Sequence, residues 1–270
     1  MNRKIGFIGC GKMAGAIIKG IIAAGFLPKE NIKGAEINCE TAQLAQNSLG
    51  IEVCRDNRAL AAESDVVFIA VKPNYTAGVL EEIKDVLAGK LVVSIAAGVS
   101  VKKIEGITGE VRVIRVMPNT PALVLEGMSA AAKGTYASDC DMEFVISLLS
   151  SIGKAVEVDE KQMDIVTAIS GSGPAFFYKV IEDIARAGEK LGLDYEKALL
   201  LAAQTAFGSA KMALGRGELS LENLIGNVAT KGGCTFEGIE VMKAQNSDRL
   251  FFDVIEATAQ KACKLAYTGE

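Results

Sequence analysis

The segment from Ile5 to Ala14 constrains the fold of this chain more than any other part of the sequence. An apolar run with β-favouring residues stops at Gly9, a second glycine follows at Gly11, and an isoleucine-rich helical pattern begins directly after the turn. A strand, a glycine turn and a helix with the spacing G-x-G-x-x-A are typical of units that bind the pyrophosphate of a dinucleotide.

Each small residue of this turn has a separate task in that interpretation. Gly9 permits the sharp turn, Gly11 allows the backbone to approach phosphates closely, and Ala14 lets the helix lie against the strand. The free N–H groups at the start of the helix then face the anion. The alternative is an ordinary strand–helix turn that needs glycine only for its shape.

Length and composition indicate a globular protein of two domains. The chain has 270 residues, 50% of them hydrophobic and 23% charged, and its net charge of −4 gives no basic surface for nucleic acid. No apolar run approaches the roughly 18 residues of a membrane span, and the N-terminus enters the first strand directly, so neither a membrane segment nor a targeting peptide is expected. The six cysteines are scattered, as expected for reduced thiols in a cytoplasmic protein.

The sequence contains no histidine, and this absence excludes several kinds of catalysis. Nucleophilic schemes built on a Ser-His or Cys-His pair are ruled out, as are zinc sites with imidazole ligands. General acid–base catalysis loses its most common side chain. Hydride transfer to a substrate that is already protonated fits such a composition, and no metal site is expected.

The two parts of the chain differ in their hydrophobic periodicity. Residues 1–160 alternate apolar strand-like runs with helical segments, whereas residues 161–270 lack strand signals. We therefore predict an α/β Rossmann-type domain with a doubly wound parallel sheet over 1–160 and an all-α domain over 161–270. The predicted strands are Lys4–Ile8, Asn31–Glu36, Val66–Val71, Leu91–Ile95 and Val111–Met117, followed by a more irregular edge at Met128–Lys133 and a last strand at Lys154–Val158.

Capping residues and glycines mark the helices that are predicted for the second domain. Asp194 is a suitable N-cap, and Thr235 is expected to cap another helix directly after Gly232 and Gly233. The predicted helices run from Pro174 to about Leu191, from Tyr195 to about Leu214, from Ser220, from Thr235, and from Asp248 to about Tyr267.

The end of the second predicted strand bears on the choice between NADH and NADPH. Glu36 follows Ala14 by 22 residues, where an acid accepts a hydrogen bond from the adenosine ribose 2′-hydroxyl of NAD. NADP usually requires a basic or hydroxyl group there, and this segment offers only Asn38, with Lys33 in the preceding strand. Glu36 therefore favours NADH weakly; the alternative is a solvated loop glutamate.

Three further strand ends are expected to face the nucleotide, because ligands of open α/β sheets lie at the carboxyl ends of the strands. They are Ala70-Val71-Lys72-Pro73, Ala96-Ala97-Gly98 and Met117-Pro118-Asn119. The small residues of the second leave room for a flat ring, and the rigid turn of the third predicts that Asn119 lies near the nicotinamide. Each of them is also explained by a simple turn.

A second candidate site lies in the helical part, around Gly232-Gly233-Cys234-Thr235. Free backbone N–H groups at the start of the helix that follows these glycines suit a carboxylate. The alternative is a plain helix cap that needs glycine for the entry of the chain.

Taken together, these segments resemble the pyrroline-5-carboxylate reductase family, and the resemblance spans essentially the whole chain. The matching segments are Ile5–Ala14, Ala70–Pro73, Ile95–Gly98, Arg115–Pro121, Ser170–Ala175, Gln204–Thr205 with Gly208, and Val228–Lys243. The last is highly specific for the family, whereas the first is shared by many dehydrogenases. The resemblance implies NAD(P)H-dependent reduction of L-1-pyrroline-5-carboxylate to L-proline, the last step of proline biosynthesis, by hydride transfer to the imine carbon.

The resemblance also implies roles for individual residues. Thr235 would hydrogen-bond the ring nitrogen of the substrate, and Gly232–Cys234 would hold its carboxylate. The substrate-binding residues that it implies are Glu218, Val228, Thr230, Lys231, Gly232, Gly233, Cys234 and Thr235. Together with Glu36 and Asn119, the expected cofactor contacts are Ile8, Gly9, Cys10, Gly11, Lys12, Met13, Asn57, Ala70, Val71, Lys72, Pro73, Ala96, Ala97 and Gly98. The helical domains of the family interlock as dimers, often assembled into a decamer, so the site would lie between subunits.

Departures from the family pattern leave some questions open. Lys12 and Lys231 add positive charge beside the expected pyrophosphate and substrate carboxylate, and Glu36 puts the preference for NADPH or NADH in doubt. A 3-hydroxyacid-type dehydrogenase would need a lysine in a Gly-x-x-x-Lys-x-x-Asn setting, which neither Lys179 nor Lys190 has. A non-enzymatic nicotinamide-sensing protein would need no second site.

Overall fold

Two compact units make up residues 3–268, the part of the chain that the computed structural model describes. The sheet unit comprises the residues up to Ser172 and those from Glu256 on, and the helical unit comprises Gly173–Ile255. The predicted domain boundary between residues 160 and 161 stays a prediction.

One eight-stranded sheet forms the centre of the sheet unit. Its strands are β1 Ile5–Ile8, β2 Ile32–Ala35, β3 Glu52–Cys54, β4 Val66–Ile69, β5 Leu91–Ser94, β6 Arg112–Met117, β7 Gly127–Lys133 and β8 Gly153–Glu157. They follow one another in the order β3-β2-β1-β4-β5-β6-β7-β8. Neighbouring strands are parallel, except that β7 is antiparallel to β6. The order reverses between β1 and β4, the place where doubly wound sheets bind their ligands.

Helices connect the strands of this sheet. They are α1 Lys12–Ala23, α2 Cys39–Leu49, α3 Asn57–Glu63, α4 Pro73–Ile83, α5 Val101–Thr108 and α6 Asp139–Leu149, followed by the short α7 Met163–Val166 and a π-helical turn over Thr167–Gly171. Short polar side chains begin several of them: Asn38 caps α2 and Ser100 caps α5. Pro73 occupies the first turn of α4, where its missing N–H costs nothing.

Apolar side chains cover both faces of the sheet. On one face Phe7 and Phe68 pack with Ile17 of α1, and on the other Val67 packs with Leu80 of α4. The rings of Phe7 and Phe68 are stacked, with their centroids 4.5 Å apart. Strands that are buried on both faces carry continuous apolar runs, which is the pattern that the sequence shows. The predicted Rossmann-type fold is confirmed.

Two features of the sheet differ from the predicted strands. The prediction misses β3, because this edge strand has three residues, begins at the exposed Glu52 and offers little hydrophobic pattern. The prediction of an irregular edge at Met128–Lys133 is wrong, since β7 is a regular strand between β6 and β8. Its core is built from alanines, which have a low strand propensity and therefore gave a weak signal.

The helical unit is built from helices alone within the described residues, as predicted. It contains α8 Gly173–Lys190, α9 Tyr195–Leu214, α10 Leu221–Val228 and α11 Cys234–Ala244, and α12 Ser247–Thr268 begins in it. Asp194 caps α9 through its side chain. The helices α8 and α9 pack closely, because Gly188 leaves room for Ala198; a Cβ on Gly188 would lie 3.1 Å from the Cβ of Ala198. The Tyr195 hydroxyl donates to Glu182 at 2.6 Å.

Large apolar side chains of the helical unit are exposed in the single chain. They include Phe177, Tyr178, Ile184, Leu191, Leu200, Leu201, Phe207, Met212 and Leu214. The buried apolar residues of α8 and α9 are instead small, namely Ala185, Ala198 and Ala202. Within residues 3–268, no helix combines the length and the apolar character that crossing a bilayer requires.

Candidate active site

The glycine turn after β1 has the backbone that the sequence predicts. Gly9 has a φ of +90°, which side chains rarely adopt, and a Cβ there would lie 2.8 Å from the carbonyl oxygen of Ala70. The Gly9 N–H donates to the carbonyl of Ala35 at 2.9 Å, and the Ala70 N–H donates to that of Ile8 at 2.9 Å. The turn is therefore tied to the ends of both β2 and β4.

Gly11 opens the helix that follows. It is the N-cap of α1, and it has no side chain to satisfy the free N–H groups of the first turn. The first turn carries no acidic residue, and a Cβ at Gly11 would meet no atom within 4 Å beyond its neighbours in the chain. The N–H groups around Lys12 and Met13 thus form a cradle that suits an anion.

Glu36 lies against this cradle. One of its carboxylate oxygens accepts a hydrogen bond from the Cys10 N–H at 2.6 Å, and its own N–H donates to the carbonyl of Cys54 at 3.0 Å. Burial, together with the nearby Glu36 charge, raises the pKa of the Cys10 thiol to about 12, so this thiol is neutral at physiological pH. Glu36 is therefore a part of the turn rather than a freely solvated loop residue.

A cleft of about 370 Å³ opens beside the turn, at the carboxyl ends of β1 and β2. It is lined by Ile8, Gly9, Ala35, Glu36, Ile37, Asn57, Val71, Tyr75, Gly78, Val79 and Glu82. Sequence reasoning named Ile8, Gly9, Glu36, Asn57 and Val71. It missed the contribution of α4, although Tyr75, Gly78, Val79 and Glu82 have the spacing of one helix face.

The carboxyl ends of β4 and β5 are aligned in the sheet with the end of β1. Ile8 pairs with Ile69, and Ile69 pairs with Ser94, so β1, β4 and β5 end side by side. The segment Ala70–Pro73 leads directly into α4, with Lys72 exposed at its N-cap. The segment Ala96–Gly98 turns through a positive φ of 72° at Gly98. The predicted cofactor residues of these two segments thus lie at one edge of the sheet with the glycine turn.

Asn119 is buried at the end of β6, and its side chain bonds two other segments of the chain. Its Nδ2 donates to the carbonyl of Ser170 at 3.2 Å, and its Oδ1 accepts from the Met128 N–H at 2.9 Å. It thereby joins the end of β6, the start of β7 and the π-helical turn. Gly171 permits this packing, because a Cβ there would lie 2.4 Å from Cε of Met117. A contact between Asn119 and the nicotinamide stays a prediction.

The predicted substrate loop of the helical unit is a helix entry built on glycine. Gly232 has a φ of +81°, and the Gly233 N–H donates to the carbonyl of Thr230 at 2.9 Å. The prediction that Thr235 is the N-cap of the following helix is wrong. Gly233 is the N-cap and α11 begins at Cys234, so Thr235 is the second helical residue. The Gly233 backbone takes the extended conformation of a cap, which leaves the Thr235 hydroxyl uninvolved in capping.

The first turn of α11 keeps donors available. The N–H groups of Phe236 and Glu237 bond to the Gly233 carbonyl at 3.1 and 3.4 Å, whereas those of Cys234 and Thr235 come before any intrahelical partner. The side chains of Lys231 and Cys234 are exposed beside this turn. The arrangement offers two N–H groups, a hydroxyl and a cation to a carboxylate or a polar ring.

The remaining predicted substrate residues lie at the edges of α10. Val228 ends that helix, and Thr230 follows it with an exposed side chain. Glu218 is exposed in the turn between α9 and α10, and among the described residues no hydrogen bond or ion pair joins it to the loop. Val228 and Thr230 are thus adjacent to the loop in sequence, while the structure does not connect Glu218 to it.

Comparisons with known proteins assign the chain to a family. A family model described as pyrroline-5-carboxylate reductase dimerisation matches residues 160–265, and one described as NADP oxidoreductase, coenzyme F420-dependent, matches residues 4–98. A curated pyrroline-5-carboxylate reductase of Methanosarcina acetivorans is 40% identical over 266 residues, which are 98% of this chain and 98% of that protein. The chain belongs to the pyrroline-5-carboxylate reductase family.

Solved structures of pyrroline-5-carboxylate reductases agree with this assignment. The enzyme of Coxiella burnetii is 34% identical and superimposes with a TM-score of 0.94 over 99% of this chain and 100% of its own. The pyrroline carboxylate reductase of Plasmodium falciparum, solved with NADP bound, is 33% identical, with a TM-score of 0.86 over 98% of both chains.

Family membership settles the class of enzyme. Pyrroline-5-carboxylate reductases reduce pyrroline-5-carboxylate to proline with NAD(P)H, and the chain is an NAD(P)-dependent oxidoreductase. The prediction of an imine reductase is confirmed over the 3-hydroxyacid-type dehydrogenase and the non-enzymatic sensor. The glycine cradle and the cleft beside it fit a dinucleotide, because the turn leaves open the space that a Cβ at Gly11 would fill.

Proposed function

We propose that this chain reduces L-1-pyrroline-5-carboxylate to L-proline and that the residues described above carry the reaction. The observation that carries the proposal is the match to a pyrroline-5-carboxylate reductase along 98% of the chain. When bound, a reduced nicotinamide would supply the hydride for the imine carbon, and the ring nitrogen would keep the proton with which the iminium arrives. The absence of histidine agrees with a reaction that needs no imidazole base.

Residues of the sheet unit are proposed to hold the cofactor. The turn from Gly9 to Met13 would hold the pyrophosphate, chiefly through the N–H groups of Lys12 and Met13 at the positive end of α1, because those of Gly9 and Cys10 bond Ala35 and Glu36. The cleft with Glu36 and Asn57 would take the adenosine. Ala70–Pro73 and Ala96–Gly98, at the ends of β4 and β5, would border the nicotinamide.

Residues around the start of α11 are proposed to hold the substrate. The N–H groups of Cys234 and Thr235 would bind the carboxylate, and Lys231 would add a favourable charge. The Thr235 hydroxyl, which capping does not use, would hydrogen-bond the ring nitrogen and orient the imine carbon. Glu218, Val228 and Thr230 are proposed as further contacts.

We further propose that NADH is the preferred cofactor. The Glu36 carboxylate bonds the glycine turn through the Cys10 N–H, so its negative charge is fixed at the adenosine end of the cradle. A 2′-phosphate placed there would meet a like charge, whereas a ribose hydroxyl would donate to the carboxylate. Lys33 does not offset this charge, because its ammonium already pairs with Glu52 and Glu63 at 3.2 and 3.0 Å.

The test is a turnover assay with both cofactors. The purified chain is mixed with pyrroline-5-carboxylate and either NADH or NADPH, and the loss of reduced nicotinamide is followed together with the formation of proline. We expect turnover with both and a higher kcat/KM with NADH. No turnover with either cofactor would contradict the proposed reaction, and a higher kcat/KM with NADPH would contradict only the preference.

The substitution Glu36→Ser tests the preference directly. Removing the carboxylate should improve the ratio of kcat/KM for NADPH over NADH by about tenfold, which corresponds to about 1.4 kcal/mol. An unchanged ratio would remove Glu36 from cofactor choice.

A homodimer through the helical unit is proposed as the smallest assembly. The exposed large apolar side chains of α8 and α9 support it, because many such side chains on two helices that pack together are typical of an interaction site. With a chain mass of 28.4 kDa, light scattering distinguishes a dimer from a monomer and from a decamer, the larger assembly that we also propose. A cytoplasmic location stays a prediction.

A further inference from the structure

The cleft beside the glycine turn has an unusual charge pattern. Among the described residues that line it, Glu36 and Glu82 are acidic and none is basic. The nearest arginine along the chain from Asn57 is Arg58, whose guanidinium bonds both carboxylate oxygens of Asp85. Its positive charge is therefore already paired. Arg55, just after β3, is exposed and does not line the cleft, so the charged side chains of the lining are the two glutamates.

Glu82 also fixes the side chain of Asn57. Asn57 is 3% exposed, and its Nδ2 donates to the Glu82 Oε2 at 3.0 Å. The reverse orientation of the amide would place the Asn57 carbonyl oxygen against a carboxylate, where neither group can donate. The Glu82 carboxylate therefore selects the orientation in which the Oδ1 of Asn57 makes no bond to Glu82 and is available as an acceptor.

A fixed acceptor distinguishes a hydroxyl from a phosphate. A ribose 2′-hydroxyl can donate to Oδ1, whereas a phosphate monoester near neutral pH carries a charge of about −1.5 to −2 and mostly lacks a proton to donate. A phosphate in this cleft would need N–H donors, and Glu82 binds one of the two N–H groups of the Asn57 amide while its own carboxylate adds a like charge.

We propose that Glu82 is a positioning residue that sets cofactor specificity: it holds Asn57 with its carbonyl oxygen available to the ligand and so favours a 2′-hydroxyl over a 2′-phosphate. The inference rests on the proposed function only in placing the adenosine end of the cofactor in this cleft. It adds to the role of Glu36, because it acts through the hydrogen bond to Asn57.

The test uses adenosine fragments, so that it does not depend on turnover. The affinities of AMP and of adenosine 2′,5′-bisphosphate are measured by calorimetry for the intact chain and for Glu82→Gln. A glutamine pairs with either orientation of the Asn57 amide and releases its Nδ2 for the phosphate. We expect the affinity for the bisphosphate to rise about five- to tenfold relative to AMP, or about 1.0–1.4 kcal/mol.

The chain offers a matched control on the same helix. Glu81 is exposed, pairs with Lys84 at 2.6 Å and is absent from the residues that line the cleft. Glu81→Gln removes the same charge one residue away and should leave the affinity ratio unchanged. An equal shift in both variants would overturn the proposal in favour of long-range charge alone, and no shift in Glu82→Gln would overturn it outright.

A double variant tests whether Glu82 acts through Asn57. In an Asn57→Ala background, Glu82→Gln should change the affinity ratio by less than half as much as in the intact chain, because no amide remains to turn. A full shift in that background would contradict the positioning role. These outcomes are separate from the proposed reaction, since a chain that binds AMP but does not reduce pyrroline-5-carboxylate would fail only the turnover assay.

Discussion

The sheet unit buries most of its large apolar side chains, whereas the helical unit leaves most of its own exposed in the single chain. In the sheet unit the rings of Phe7 and Phe68 are 0% exposed. In the helical unit Leu200 is 68% and Leu191 90% exposed. The sheet unit therefore completes its core within one chain, whereas the large apolar side chains of the helical unit are available to pack against another molecule.

This difference indicates how the two parts gain stability. Burying an exposed leucine or phenylalanine contributes roughly 1.5–3 kcal/mol, so burying several such residues of α8 and α9 in an interface would stabilise the assembly considerably. Residues 160–265 match a family model described as dimerisation, and α8 and α9 with their exposed apolar side chains lie in this range. We infer that assembly stabilises the helical unit and that the sheet unit folds with little help from it.

The largest expected effect comes from a charge on the exposed helical surface. Leu200→Asp should convert the dimer to monomers and lower kcat/KM at least about 100-fold, because a buried aspartate would be desolvated at the interface. Size-exclusion chromatography with light scattering measures the mass. Leu44→Asp is the control, since Leu44 is 67% exposed but lies on α2 of the sheet unit. A dimeric Leu200→Asp would place the interface elsewhere.

The next effect concerns chemistry in the helical unit. Thr235→Ala should lower kcat about 100-fold, as expected when the oxygen that accepts from the iminium N–H and orients the reacting carbon is lost, while the dimer stays intact. Stopped-flow or steady-state assays measure the rate. The neighbouring Cys234→Ser should change kcat by less than about threefold, because its proposed contact is its backbone N–H. Equal rates for Thr235→Ala and the unaltered chain would remove the hydroxyl from the mechanism.

A smaller effect separates fold from binding in the sheet unit. Gly9→Ala forces a Cβ to within 2.8 Å of the Ala70 carbonyl at a φ of +90°, so it should cost about 1–3 kcal/mol of stability as well as cofactor affinity. Gly11→Ala should leave thermal stability unchanged and weaken cofactor binding, because its Cβ has open space that the pyrophosphate would occupy. Thermal unfolding and calorimetry measure the two effects, and a destabilised Gly11→Ala would contradict this distinction.

The smallest effect tests whether the sheet unit depends on its own polar network. Asp141 is buried and accepts from Ser138 and Arg112; burial would raise its pKa, but these hydrogen bonds and the Arg112 charge lower it. A lowered pKa stabilises the fold above the unfolded value, near 3.9, and this contribution is lost as the pH falls through the folded value. Asp141→Asn should cost about 1–2 kcal/mol at neutral pH and less in acid.

Denaturant unfolding between neutral and acidic pH measures this cost. Asp139→Asn, an exposed position on the same helix that pairs with Lys133, serves as the control and should not change the unfolding midpoint. Equal effects of the two substitutions would show that burial of Asp141 contributes nothing.

The sequence was sufficient for the strands and helices that carry a strong pattern. Continuous apolar runs located β1, β4 and β5, and Asp194 located the start of α9. The pattern failed where tertiary packing decides: β3 is short and exposed, and β7 is made of alanines that become strand only between two neighbours. Thr235 was placed as a cap because glycine caps leave no side-chain signal, and Gly233 took that position.

The candidate site shows the same division. Glycine spacing and strand ends predicted the cradle, because backbone geometry there depends on residue type. Tyr75 and Glu82 were missed, since their place in the cleft depends on how α4 lies against the sheet. The hydrogen bond between Asn57 and Glu82 joins residues 25 apart in sequence, and no local pattern announces such a pair.

Asn119 connects segments that lie far apart in the sequence. Its bond to Ser170 closes a segment of 51 residues, and closing so long a loop carries an entropic cost that local contacts do not. We therefore expect this bond to form after β6 and β7 have paired and the π-helical turn to become ordered late. In hydrogen exchange, the Met128 amide that Asn119 holds should then open together with the sheet rather than by local fraying.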